Sequence, residues 1–106
     1  MARYDQLRYE VWTRCEEAGR LECWLTGKPV VQPGGFRFAS QFAHVLPKGR
    51  FPRWANDPRN IRLLHPDVHA TQEDYPEWHD LVAEYMAAYY RYEDPPGDCT
   101  DEPRNL

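Results

Sequence analysis

The chain has 106 residues, enough for one domain with a single modest core, and its 14% aromatic content with four tryptophans argues against a disordered polymer. Ten prolines and a mean hydropathy of -0.85 indicate short elements separated by turns, and no apolar run approaches the ~18 residues of a membrane span. The net charge of -4 argues against general nucleic-acid binding until the charge is located: between Lys48 and Arg62 five basic residues stand against Asp57 alone.

In chain order, Leu7, Val11, Cys15 and Ala18, preceded by Tyr4, recur at intervals of three and four, which predicts an amphipathic helix over 3–17 closed by Gly19. MARYDQLRYEVW contains no signal-peptide core, so a cytoplasmic chain is expected. Gly27, Pro29, Pro33, Gly34 and Gly35 break the segment up to residue 35, leaving WLTGKPVV as a short strand and turn. FRFASQFAHVL, residues 36–46, reads as a strand stopped by Pro47, with Phe42 and His44 on one face. A loop rich in Pro, Gly and Asn leads to a second short strand, NIRLL, over 60–64. Pro66 suits the first turn of a helix through HPDVHATQED.

A further helix over 77–92, starting beside Pro76, carries the stripe Trp78, Leu81, Val82, Tyr85, Met86 and Tyr89. The remaining residues, 94–106, are acidic and poor in hydrophobes, so a flexible tail is expected after a single domain spanning 1–93. Three cysteines without a CxxC pair argue for reduced thiols and against a structural zinc.

The order strand with His44 in AHVLPKG, long loop, strand opening on Asn60 in NIRLL, then helix with His69 in HPDVH resembles the HNH endonucleases. The resemblance covers about half the chain, roughly 24–74. It implies an α+β fold with a ββα-metal core flanked by the N- and C-terminal helices. It also implies a metal-dependent endonuclease that nicks or cuts DNA, of the small kind found in phage and mobile elements. His44 would be the general base, usable near neutrality because an ordinary imidazole titrates near 6.5. Asn60 would hold the loop or the ring of the base. One divalent ion (Mg²⁺, Mn²⁺, Ni²⁺ or Zn²⁺) would be held by His69 and, from helical spacing, by Glu73.

One position departs from the family pattern. Ala43 stands where many members carry a metal-binding Asp or His, so His65, Asp67 or water would have to complete the shell. Lys48, Arg50, Arg53 and Arg59 are the expected phosphate contacts. Trp54 either stacks on a base or packs beneath the loop. Targeting would then come from a protein partner or a homodimer.

The same residues admit ordinary roles: His44 as a core histidine beside Phe42, Asn60 as the start of a strand, Glu73 as a solvated carboxylate. His79, beside Trp78, reads as structural. The alternative function is therefore a catalytically weak or inactive module of the same fold that binds DNA or a protein, as an accessory factor or inhibitor. A partner-binding acidic protein with a coincidental motif is a further option.

Overall fold

Three helices surround a two-stranded antiparallel sheet in the computed structural model, which describes residues 3–103 and side chains from Asp5 onward. Helix α1 spans Arg3–Glu17 and buries Leu7, Val11, Trp12 and Cys15. Gly19 ends it in the left-handed region (φ 70), and the Arg20 N–H returns to the Cys15 carbonyl at 2.7 Å. A glycine after the last turn accepts that backbone without a Cβ penalty. Tyr4, the first member of the expected stripe, lies outside the described side chains, and Ala18 is exposed.

The first strand is much shorter than the sequence suggests. β1 covers only Phe42–His44, and Phe38–Gln41 forms a 3₁₀ turn instead. Arg37 has φ 67, a left-handed backbone that breaks an extended chain. Phe38 then turns inward to pack edge-on against Trp12 and Phe42, at 5.2 and 5.3 Å between ring centres. Strand β2, Ile61–Leu63, pairs with β1 in the register Phe42–Leu63, Ala43–Arg62, His44–Ile61.

The segment 22–31 lies along this sheet. Trp24 N–H donates to the Leu63 carbonyl at 2.8 Å, and Glu22 bridges Pro29 across a turn at Gly27. The buried Gln41 amide clamps Val31 from both sides, accepting from its N–H at 2.9 Å and donating to its carbonyl at 2.7 Å.

Pro66 opens a helix as expected, but α2 ends at once, covering only Pro66–His69. A separate 3₁₀ turn, Gln72–Asp74, precedes helix α3, Pro76–Tyr90. Trp78, Leu81, Tyr85 and Ala88 form the buried face of α3, while Val82, Met86 and Tyr89 pack at its margin.

The expected loose tail is instead docked over its described residues, 94–103. Pro95, Cys99 and Pro103 are buried. Its acids meet cations of the body: Asp98 with Arg14 at 3.6 Å, Asp101 with Arg62 at 3.4 Å and Glu102 with Arg20 at 2.7 Å. Residues 104–106 lie outside the described part. Acidic composition here reflects matched ion pairs rather than a solvated chain. No helix among the described residues is long and apolar enough to cross a membrane.

Candidate functional site

In an antiparallel pair, directly opposed residues project to the same face, and neighbours along a strand alternate. Ala43 and Arg62 thus share the core face, both fully buried, and Phe42, His44 and Ile61 turn the other way. Those three line a cleft of about 440 Å³ together with Leu7, Arg8 and Val11 of α1, Pro47 to Gly49 of the loop, and His69 of α2. This register accounts for Ala43. A larger side chain there would enter the core beside the Arg62 guanidinium, which already contacts the Tyr85 hydroxyl at 2.8 Å and Asp101.

His44 and His69 come from different elements and meet at this one cleft. His44 Nε2 lies 3.0 Å from the Ala55 carbonyl. A carbonyl only accepts, so Nε2 carries the hydrogen and the neutral ring has its lone pair on Nδ1. Burial pushes the His44 imidazole below its ordinary 6.5, and Lys48, Arg8 and His69 act in the same direction, against the opposing hydrogen bond to Ala55. The ring is therefore neutral at physiological pH. His69 Nδ1 lies 2.6 Å from the Ser40 carbonyl, so by the same logic the neutral ring has its lone pair on Nε2.

Asn60 is fully buried, and its amide stitches the 45–57 loop. Oδ1 accepts from Leu46 N–H at 3.0 Å, while Nδ2 donates to the Leu46 and Trp54 carbonyls at 3.0 and 3.4 Å. Of the two roles expected for it, holding the loop is the direct one. That loop carries Ala55, so Asn60 supports the His44 ring through the backbone.

The remaining expected residues divide. Lys48 is at the cleft. Arg50, two residues on, has its guanidinium 5.9 Å from the Phe51 ring centre. Arg53 stacks on Tyr89, 4.0 Å from its ring centre, and also donates to the Tyr89 carbonyl. Arg59 is held by the Asp57 carboxylate at 2.8–3.2 Å and by Asp94 at 3.7 Å, which reduces its value as a phosphate contact. Trp54 is buried and meets Tyr85 and Tyr89 edge-on, at 5.8 and 5.0 Å. It packs beneath the loop, the second of the two roles expected for it.

Glu73 does not share a helix face with His69, because α2 stops between them; its carboxylate is 3.7 Å from His79 instead. His65 Nδ1 accepts from the Asp67 N–H at 3.2 Å, and Asp67 pairs with Arg37 at 2.8 Å. Among the described residues, no group of three or more His, Cys, Asp or Glu side chains converges as a metal cage.

Arg8 is the site residue that sequence reasoning missed. It sits three residues before Val11 and next to Leu7, so helical spacing puts it at the edge of the buried stripe. It pairs with Asp5 at 2.9 Å and still borders the cleft. The Ala55 and Ser40 carbonyls carry no sequence signal at all.

Searches of protein-family models, curated proteins and solved structures return no match to this chain.

Proposed function

We propose that this cleft hydrolyses phosphodiester bonds in DNA with one divalent ion, and that residues 42–69 act as an HNH-type ββα-metal core. The observation that carries the reading is the pair of imidazoles from β1 and α2 in one cleft, each with its second nitrogen tied to a backbone carbonyl. Orientation through such a carbonyl is what a metal-ligating histidine or a general base requires.

In this reading His44 Nδ1 takes the proton from the attacking water while its Nε2–H stays on Ala55. Asn60 keeps the loop, and thereby Ala55, in place. Lys48 and Arg8 raise the local concentration of phosphate at the cleft. His69 Nε2 is the chain's own metal donor. A single oriented imidazole fits an ion whose other positions are filled by water and phosphate oxygens, and does not fit a closed four-ligand zinc site. When bound, the ion supplies charge stabilisation on the phosphate and leaving oxygen. An imidazole donor favours Mn²⁺, Ni²⁺ or Zn²⁺ over Mg²⁺.

The test is plasmid nicking against metal concentration. His69→Ala should raise the metal required by roughly tenfold or more. His44→Ala should lower the rate about 10²–10⁴-fold with the metal requirement unchanged. Identical metal curves for wild type and His69→Ala would remove the metal role.

A second reading, a non-catalytic DNA-binding module of the same fold, is favoured by the lack of a three-ligand group among the described residues. It predicts a salt-dependent DNA shift with no cleavage under any metal.

A further inference from the structure

At the end of α3, Tyr90 and Tyr92 are 64% and 84% exposed. They sit at the edge of a buried aromatic stack. Phe51 meets Tyr89 at 5.0 Å and Tyr90 at 6.1 Å, both edge-on, and Trp54 meets Tyr89 at 5.0 Å. The Arg53 guanidinium lies 4.0 Å from the Tyr89 ring centre and 4.7 Å from that of Tyr92, and Arg50 lies over Phe51. Phe51, Trp54 and Tyr89 thus anchor a surface on which Tyr90, Tyr92, Arg50 and Arg53 face solvent.

Tyr92 is the unusual member. Its N–H donates to the Tyr89 carbonyl and the next N–H, of Glu93, to Ala88, closing the helix through a left-handed residue with φ 57. Glycine is the residue suited to that position, because a Cβ there is strained. The ring gains little burial in return, so packing offers weak compensation for the strain. A bulky aromatic in a left-handed conformation is the kind of local cost that accompanies a surface with a use.

The charge on this surface suits phosphate. Of the acids around it, Glu93 pairs with Arg91 and Asp94 with Arg59, both at 3.7 Å, while Glu73, which lines a cleft with Arg50 and Phe51, lies 3.7 Å from His79. Arg50 is two residues from Lys48 at the cleft, within about 7 Å along the chain. Arg50 and Phe51 also line a second cleft together with His44 and Pro47, so the surface reaches the candidate site.

We infer that this face is a stacking platform for single-stranded DNA leading to the cleft, with bases on Tyr90 and Tyr92 and phosphates on Arg50 and Arg53. Stacking is tolerant of sequence but needs exposed base faces, which an intact duplex does not offer. The inference rests on the nuclease reading in one respect: it names DNA with an unpaired stretch as the substrate of that cleft.

The experiment is fluorescence anisotropy of the full chain with a labelled oligothymidylate and with a duplex of equal length, in EDTA so that no chemistry occurs. Wild type should bind the single strand more tightly than the duplex. Tyr92→Gly removes the ring and also relieves the positive φ, so it should melt no lower than wild type while losing roughly tenfold in single-strand affinity. Its salt dependence should stay as in wild type, because no phosphate contact is lost, whereas Arg50→Ala should reduce the salt slope by about one. A folded Tyr92→Gly that binds like wild type overturns the platform, as does a wild type that prefers duplex or binds neither. Platform binding without plasmid nicking would count against the nuclease reading alone, and nicking without single-strand preference against the platform alone.

Discussion

Replacing Asn60 with alanine tests whether one buried amide holds the loop that carries the support of His44. The side chain is fully buried and makes three hydrogen bonds, two at 3.0 Å to the two backbone groups of Leu46 and one at 3.4 Å to the Trp54 carbonyl. Each of the two short bonds contributes about 1 kcal/mol net, and the Leu46 N–H left without its acceptor adds roughly 1–3 kcal/mol. The expected loss is about 3–5 kcal/mol, at or below the ~5–15 kcal/mol total of an ordinary domain, so the variant still folds. For a chain of this size that is roughly 12–20 °C in Tm. Urea unfolding followed by tryptophan fluorescence, with m unchanged, measures it. Asn60→Asp retains the acceptor but turns a carboxylate toward two carbonyls, so it should be at least as destabilising. A loss below about 1 kcal/mol in Asn60→Ala at constant m would refute the reasoning, because the loop would then hold without the amide.

His44 has a folded-state pKa below 6.5. The unfolded chain therefore binds this proton more readily in acid, and the His44 contribution to stability is present above pH 6.5 and lost as pH falls through the folded value. His44→Phe should flatten that part of the stability–pH curve; an unchanged slope contradicts the assignment. Cleavage should likewise be flat above about pH 6.5 and fall only below it. Trp54→Ala should cost about 3–5 kcal/mol in denaturant because the indole is core, whereas Trp54→Phe should cost far less and leave DNA affinity unchanged. Asp101→Ala strips a carboxylate from the fully buried Arg62 and should destabilise by roughly 1–3 kcal/mol at neutral pH. An effect below a few tenths would mean that the tail does not hold that charge.

The two long helices are the most legible part of the chain, because their apolar spacing and terminal Gly19 and Pro76 are local signals that tertiary packing reinforces. The strand expected over 36–46 shrinks to Phe42–His44, because alternation of aromatics looks the same whether the backbone is extended or turns back on itself. Here Arg37 takes the left-handed turn and Phe38 finds its partners on α1. Motif order singles out His44, Asn60 and His69, and the structure brings the two histidines to one cleft with the Asn60 amide bonded to the loop that carries Ala55. Glu73 was expected from helical spacing that presumes an unbroken helix, and α2 is one turn long. The fate of the basic stretch was equally hidden. Arg62 is in the core, Arg59 is paired to its neighbour Asp57, and the cation that α1 adds to the cleft, Arg8, lies far away in sequence. Charge counting along the chain does not distinguish these environments.

Cleavage of supercoiled plasmid by wild type and His44→Ala, with Mg²⁺, Mn²⁺, Ni²⁺ or Zn²⁺ and with EDTA, decides whether the cleft is a nuclease site. Metal-dependent nicking by wild type, absent in EDTA and reduced at least ~10²-fold in a His44→Ala protein of native stability, is the predicted result. Folded wild type that leaves plasmid intact with every metal, or nicking that His44→Ala retains, would contradict it.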